Sequence, residues 1–259
     1  MTRLAAPVCH PADARLPASY AQALGTARAD LLLTDPPYCL LTRRRRDGDP
    51  REPKGRKIDR GPVGRFESVR DYRSFTEAWL SAAVPFLTPE APLILWTNFL
   101  GKAPLLEVAA KLGYGERVSE FRWCKKTTEG DGNEIPLRIY EVALVLMRVA
   151  PPPLGPGDLG PPTAVVGGYD DEGQAARWGS HPNHKPFSVL APLLRAYSHP
   201  GARVLDCFAG SGSIPEAALR LSRWPVALEI EPAWAQRVTE RLSLWEQTLN
   251  NAGRAAPDI

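Results

Sequence analysis

Five short apolar runs punctuate the chain: Ala29 to Thr34, Pro92 to Thr97, Tyr140 to Met147, Arg203 to Phe208 and Pro225 to Ile230. Each is rich in Leu, Ile and Val and bounded by turn residues or charges, the pattern of strands buried on both faces of a parallel sheet. Between them the periodicity becomes helical. Tyr72, Phe75, Trp79, Ala83 and Phe86 recur at spacings of three and four, which predicts a helix over 72 to 87, and 102 to 112 and 232 to 249 behave alike. Strands alternating with helices predict an α/β fold, a mostly parallel sheet with helices on both faces. Ligands of such sheets bind at the carboxyl ends of the strands, so the residues found there are the first candidates for chemistry. No internal repeat or heptad run interrupts this reading.

Composition narrows the class. The 259 residues are 44% apolar and 24% charged, as in soluble globular proteins, and a chain this long can bury a core without disulfides or a structural metal. Cys9, Cys39, Cys124 and Cys207 stand apart from one another and from any histidine cluster, which predicts ordinary thiols and no metal site. The first residues lack the apolar stretch of a signal peptide and no run of about 18 apolar residues occurs, so a cytoplasmic protein without a membrane partner is expected.

Charge is unevenly spread. Residues 41 to 75 carry twelve Lys or Arg against six acids, a net +6 that leaves the rest of a chain of overall +3 at −3. Clustered Lys and Arg suit a polyanion, because they displace counterions from phosphates; a solvated charged loop is the alternative. A second break covers 151 to 173, where Pro and Gly fill twelve of 23 positions and predict neither helix nor strand. That stretch reads as a linker or excursion between two halves of the chain.

Two motifs stand at strand ends. Asp206-Cys207-Phe208-Ala209-Gly210-Ser211-Gly212-Ser213 joins the strand at Arg203 to a helix opening at Ile214 and Pro215. Glycines there let backbone approach a ligand, and the helix start offers free amides. The next strand ends in Glu229, about 20 residues on, where an acid commonly receives a ribose hydroxyl pair. A nucleoside ligand is indicated, although the third glycine of the dinucleotide fingerprint is missing, so a dehydrogenase is not. The second motif, Asp35-Pro36-Pro37-Tyr38, follows the strand at Ala29. Two prolines fix the backbone, so the Asp35 carboxylate and local carbonyls form rigid acceptors beside an aromatic ring, which suits a planar ring bearing an exocyclic amine. A Pro-rich turn with Tyr38 as core filling is the plainer reading. Trp79, Trp96, Trp234 and Trp245 fall in periodic apolar segments and read as core or subunit contacts; His10, His181 and His199 read as structural.

DPPY and FAGSG together, in this order, resemble the motifs of the β-class S-adenosylmethionine-dependent DNA amino-methyltransferases, a permuted arrangement typical of bacterial enzymes. His181-Pro182-Asn183-His184-Lys185-Pro186 is similar to the family's HPTQKP element, Trp123-Cys124-Lys125 to its WxK, and Glu141 to the acid of its hE. The resemblance covers about residues 8 to 148 and 181 to 245. The chain departs from it at Asn183 and His184, where Thr and Gln are usual, and at Cys207, where Pro is usual.

The resemblance implies a single Rossmann-like domain: a catalytic half over 1–150 with a DNA-facing basic loop at 41–75, an excursion at 151–180 short for a target-recognition domain, and a cofactor half over 181–259. It implies S-adenosylmethionine as cofactor, with Lys185 and Asp206 at the methionine end, Phe208, Ala209, Gly210, Ser211 and Gly212 lining the methionyl part, and Glu229, ahead of Glu231, holding the ribose. Asp35, Pro36, Pro37 and Tyr38 would be catalytic: Asp35 and the Pro36 carbonyl accept the amino hydrogens, Tyr38 stacks on a base flipped out of the duplex, and the amine attacks directly in line. Arg43, Arg44, Arg45, Arg46, Lys54, Arg56 and Lys57 would contact the nucleic acid. DNA is the implied partner, with a homodimer and a cognate restriction endonuclease as further ones. DPPY usually accompanies adenine-N6 transfer; cytosine-N4 transfer and a catalytically silent DNA-binding homologue are the alternatives.

Overall fold

The computed structural model describes residues 7–42, 65–115, 117–128, 134–149, 160–168 and 184–254. Among these described residues eight strands form one sheet: β1 (Cys9–Pro11), β2 (Leu31–Thr34), β3 (Leu93–Thr97), β4 (Arg117–Thr128), β5 (Glu134–Met147), β6 (Ala164–Gly167), β7 (Arg203–Asp206) and β8 (Trp224–Glu229). Their spatial order is β1-β8-β7-β2-β3-β5-β4-β6. The helices are α1 (Pro17–Leu24), α2 (Val69–Ala83), α3 (Phe99–Lys111), α4 (Phe187–Tyr197), α5 (Ser213–Arg220) and α6 (Pro232–Arg254).

Alternation of side chains along each central strand feeds two cores. Leu32, Leu93, Leu95 and Leu205 pack with Tyr20, Tyr72, Trp79 and Leu105 from α1, α2 and α3. Leu31, Leu33, Ile94, Trp96 and Val204 turn the other way, onto Val189, Leu193, Ile214 and Ala217 of α4 and α5. Leu31, Leu32 and Leu33 are fully buried, and such burial contributes about 1.5–3 kcal/mol per side chain, so a continuous apolar strand is what this position selects. Helix α2 starts where Ser68 Oγ accepts from the Asp71 amide at 3.1 Å, and it stops before Pro85 in a short 3₁₀ turn.

The connection from β2 through α2 to β3 runs over one face, and that from β7 through α5 to β8 over the other. Between β2 and β7 the winding therefore reverses. These two strands lie side by side and parallel, with Leu31 opposite Val204 and Leu32 opposite Leu205. A crevice for ligands opens at their carboxyl ends.

Two sequence expectations are corrected, and two strands were missed. Tyr140 to Met147 belongs to a longer strand that runs antiparallel to both of its neighbours, β3 and β4. An apolar run reports burial on both faces and carries no information on direction. Within the Pro/Gly-rich stretch, Ala164–Gly167 does form a strand, paired in parallel with β4. Those four residues contain no proline and two valines, and an edge position requires hydrogen bonds on one side only. The edge strand β1 and the long β4, rich in charge and polar residues, carry no continuous apolar run and escaped the pattern. No helix among the described residues is long and apolar enough to cross a membrane.

Candidate active site

Thr34, the last residue of β2, ties the two motifs together. Its hydroxyl donates to Asp206 Oδ1 at 2.7 Å and accepts from the Cys207 amide at 3.1 Å. Asp206 Oδ1 also accepts from the Phe208 amide at 3.1 Å, while its Oδ2 is buried without a partner. Burial pushes the Asp206 carboxyl up to about 7, with Thr34 and the Phe208 amide pulling the other way and the nearby Asp35 and Glu229 adding to the rise.

The glycine loop is pinned on three sides. Ala209 N–H donates to the Leu228 carbonyl, Gly212 N–H to the Ala209 carbonyl, and Gly210 N–H to Glu229 Oε2 at 2.8 Å. Glu229 Oε1 accepts from the Glu231 amide. Gly212 has φ +79°, and a Cβ there would stand 3.1 Å from both γ-methyls of Val238, so conformation and space both select glycine. Phe208 packs edge-on against Trp79 at 5.3 Å. Behind the loop, the buried Arg241 donates to the Ser211 carbonyl at 2.7 Å and pairs with the buried Glu216.

Across the crevice, Asp35 follows directly from β2. Its Oδ2 accepts from Lys185 Nζ at 2.6 Å and its Oδ1 is buried without a partner. Lys185 Nζ lies 3.0 Å from Glu141 Oε2, which also accepts from the Tyr38 hydroxyl at 2.9 Å; Glu141 Oε1 pairs with Lys125. A register shift between Cys124 and Lys126 breaks the β4–β5 ladder at Lys125, and such a bulge re-aims a side chain. Burial alone would raise the Glu141 carboxyl, but Lys185 and Lys125 outweigh it and hold it down at about 2. Burial pushes the Asp35 carboxyl above its ordinary range against the pull of Lys185. For Lys185, burial acts to lower the ammonium, and Asp35 and Glu141 outweigh it.

The crevice brings Asp35, Lys185, Phe208, Ala209, Gly210, Ser211, Ser213 and Ile214 around one narrow cleft of about 30 Å³. A larger cavity of about 380 Å³ lies at the opposite ends of β7 and β8, away from both motifs. Pro36 is buried, Pro37 exposed and Tyr38 half-buried. Lys185, expected with Asp206 at the methionine end of the cofactor, lines the cleft with its amine on Asp35 and Glu141. The reason is charge: two carboxylates converge on that amine, and a buried ammonium requires them. Arg43, Arg44, Arg45, Arg46, Lys54, Arg56 and Lys57 lie outside the described residues, as do His181, Pro182 and Asn183. Thr42 and Arg65 flank the basic segment, and Leu41 pairs with Phe66, so the segment leaves and returns beside Tyr38. Thr34, Lys125 and Glu141 were not among the expected site residues. Lys125 and Glu141 had been met only as the WxK and hE elements of the resemblance, which was the available signal for them; Thr34 left none.

Residues 162–240 match the family model N6_N4_Mtase, described as DNA methylase. A stretch of 69 residues, 27% of this chain, is 38% identical to the "Putative methylase YubD" of Escherichia coli (strain K12) and spans 30% of that relative's length. The M1.HpyAVI–SAM complex superposes with a TM-score of 0.61 at 18% identity over 91% of this chain and 98% of that one. PvuII DNA methyltransferase (cytosine-N4-specific) gives 0.62 at 14% identity over 95% and 94%. The resemblance met in the sequence finds support here: residues 162–240 match the N6_N4_Mtase DNA methylase model, and the chain has the fold of these solved DNA methyltransferases.

Proposed function

We propose that this protein transfers a methyl group from S-adenosylmethionine to the exocyclic N6 amine of adenine in DNA. One observation carries the reading: β2 and β7 lie side by side at the reversal of the sheet, so Asp35-Pro36-Pro37-Tyr38 and Phe208–Gly212 face each other across one crevice. The residues present fit the cofactor. A glycine loop that turns at positive φ at Gly212, a carboxylate at the end of β8 and a buried unpaired oxygen on Asp206 suit a nucleoside bearing an ammonium group. Glu229 would hold the ribose hydroxyls, Phe208–Gly212 the methionyl part, and Asp206 the ammonium. The two segments 1–150 and 181–259 would act as catalytic and cofactor halves of one domain.

The bound cofactor supplies an electrophilic methyl on a sulfonium. The protein's task is to make a poor nucleophile attack it, because the adenine amine lone pair is delocalised into the ring. Asp35 Oδ1, desolvated and unpaired, is free to accept one amino hydrogen, and the Pro36 carbonyl the other. Drawing both hydrogens to acceptors localises the lone pair on nitrogen. Lys185, held by Glu141, keeps Asp35 Oδ2 occupied, so that only Oδ1 faces the substrate. The Tyr38 ring, its hydroxyl fixed on Glu141, is positioned to stack on the base. The basic segment beside Tyr38 would hold the distorted DNA backbone while the base is flipped.

Nucleoside mass spectrometry of unmethylated DNA after incubation with the protein and S-adenosylmethionine tests the proposal. N6-methyladenine is expected; N4-methylcytosine would overturn the choice of base, and no methylated base would overturn the reaction. Asp206 gives a second expected outcome. If its carboxyl meets the cofactor's ammonium, the ionised form is favoured in the complex, and its value falls from about 7. Binding then releases a proton below pH 7, and affinity climbs close to tenfold per pH unit toward pH 7 before levelling. Calorimetry in buffers of different ionisation heat reads the proton directly. Asp206→Asn should abolish the release, and a wild-type protein that releases none would contradict the assignment.

A further inference from the structure

Helix α3 begins at the carboxyl end of β3, beside β2, and its first residue, Phe99, is 87% exposed. Leu100 beside it is 44% exposed. An isolated apolar side chain on a surface needs no explanation, but this one is presented from a fixed platform. Asn98 caps the helix, its Oδ1 accepting from the Gly101 amide at 2.9 Å, and its Nδ2 donates to the Cys39 carbonyl, also at 2.9 Å. Gly101 is seated so closely that a Cβ would come within 3.1 Å of the Tyr72 hydroxyl and nearer still to Thr97 Oγ1. The turn carrying Phe99 is therefore bound to the residue that follows Tyr38.

The surroundings select the partner. The basic segment departs after Thr42 and returns at Arg65, with Thr42 N–H donating to the Phe66 carbonyl at 3.0 Å and Phe66 N–H to the Leu40 carbonyl at 2.9 Å. An exposed ring on a pinned turn thus stands at the same end of the sheet as Asp35, next to the attachment of a segment, 43–64, whose nine Lys or Arg and four acids give a net +5. Positive charge with an aromatic face is the chemistry that binds a polyanion bearing flat rings. We infer that Phe99 stacks on a DNA base next to the one that enters the crevice, taking the place of the stacking partner lost when that base leaves the duplex. Through Asn98 and Cys39 the contact is joined to the Asp35–Tyr38 turn, so DNA engagement and the acceptor geometry are mechanically linked. The inference rests on the proposed DNA substrate.

The test uses the full chain and two fluorescein-labelled, unmethylated probes of mixed sequence, a single strand and a duplex, titrated at a series of salt concentrations. Phe99→Ala should weaken single-strand binding by about fivefold to 100-fold, the range of one lost base–aromatic stack. Because no phosphate contact is removed, the slope of log affinity against log salt should stay at the wild-type value. Phe99→Trp should retain affinity, and S-adenosylmethionine binding should be unchanged in both variants. A Phe99→Ala protein with wild-type affinity for both probes overturns the inference. So does one that changes oligomeric state by light scattering with DNA affinity intact, which would make the ring a self-association contact. If wild-type protein binds neither probe and methylates no DNA, the proposed substrate itself is wrong, an outcome distinct from the failure of Phe99 alone.

Discussion

Asp35→Ala is expected to abolish methyl transfer, by on the order of 10³-fold or more, and to leave cofactor affinity within about twofold of wild type. The change removes the unpaired Oδ1 that accepts the amino hydrogen, and with it the main means of localising the nitrogen lone pair. It does not strand Lys185, whose Nζ stays 3.0 Å from Glu141, so the fold should survive. The glycine loop and Glu229 keep their own hydrogen bonds, none of which involves Asp35. Asp35→Asn retains an oxygen acceptor without the charge and should fall between the two. Single-turnover transfer together with calorimetric cofactor binding separates the effects. Wild-type turnover in Asp35→Ala would refute the assigned mechanism, and a parallel loss of cofactor binding would move Asp35 to the cofactor side of the crevice.

The largest expected effect on stability lies behind the glycine loop. Glu216 and Arg241 are paired with both side chains almost fully buried, and Arg220 lies 3.6 Å from the same carboxylate. Removing one member of such a pair takes the main carboxylate from a buried cation and costs on the order of 3–5 kcal/mol. Glu216→Ala should accordingly lower the melting temperature by on the order of 10 °C in a chain of this size. Arg241 also holds the Ser211 carbonyl, so loosening it should raise the KM for the cofactor more than it lowers kcat. A double replacement, Glu216→Leu with Arg241→Met, removes both charges and should recover much of the lost stability while the KM defect persists, because Ser211 stays untethered. Urea unfolding of the single and double variants decides this; equal losses in both would mean that the charge pair is not what the interior requires.

Much of this site was legible in the sequence because local rules suffice for it. Asp35-Pro36-Pro37-Tyr38 needs only a strand before it and two prolines to be rigid. Phe208–Gly212 needs only a strand, glycines and a helix start, and Gly212 adopts the positive φ that such a loop demands. Glu229 was found by its distance along the chain and does meet the loop, through Gly210. The central strands declared themselves because burial on both faces forbids polar residues. Lys185 was singled out for the cofactor, but its meeting with Asp35 and Glu141 was not legible, since nothing local tells which carboxylates a buried amine will meet.

The sequence by itself determined the elements whose reason is local: the buried strands, the amphipathic helices, the two rigid turns and the residue types they display. Tertiary structure alone decided what those turns do together. Asp35 and Lys185 are 150 residues apart, and Thr34 and Asp206 are 172 apart, yet both pairs form hydrogen bonds because β2 and β7 pair across the sheet. Strand pairing over such separations depends on the summed packing of two cores, which no window of sequence contains. The direction of β5, the bulge that aims Lys125 at Glu141 and the unpaired oxygens of Asp35 and Asp206 arise in the same way, from which neighbours the whole fold brings within reach of a charge.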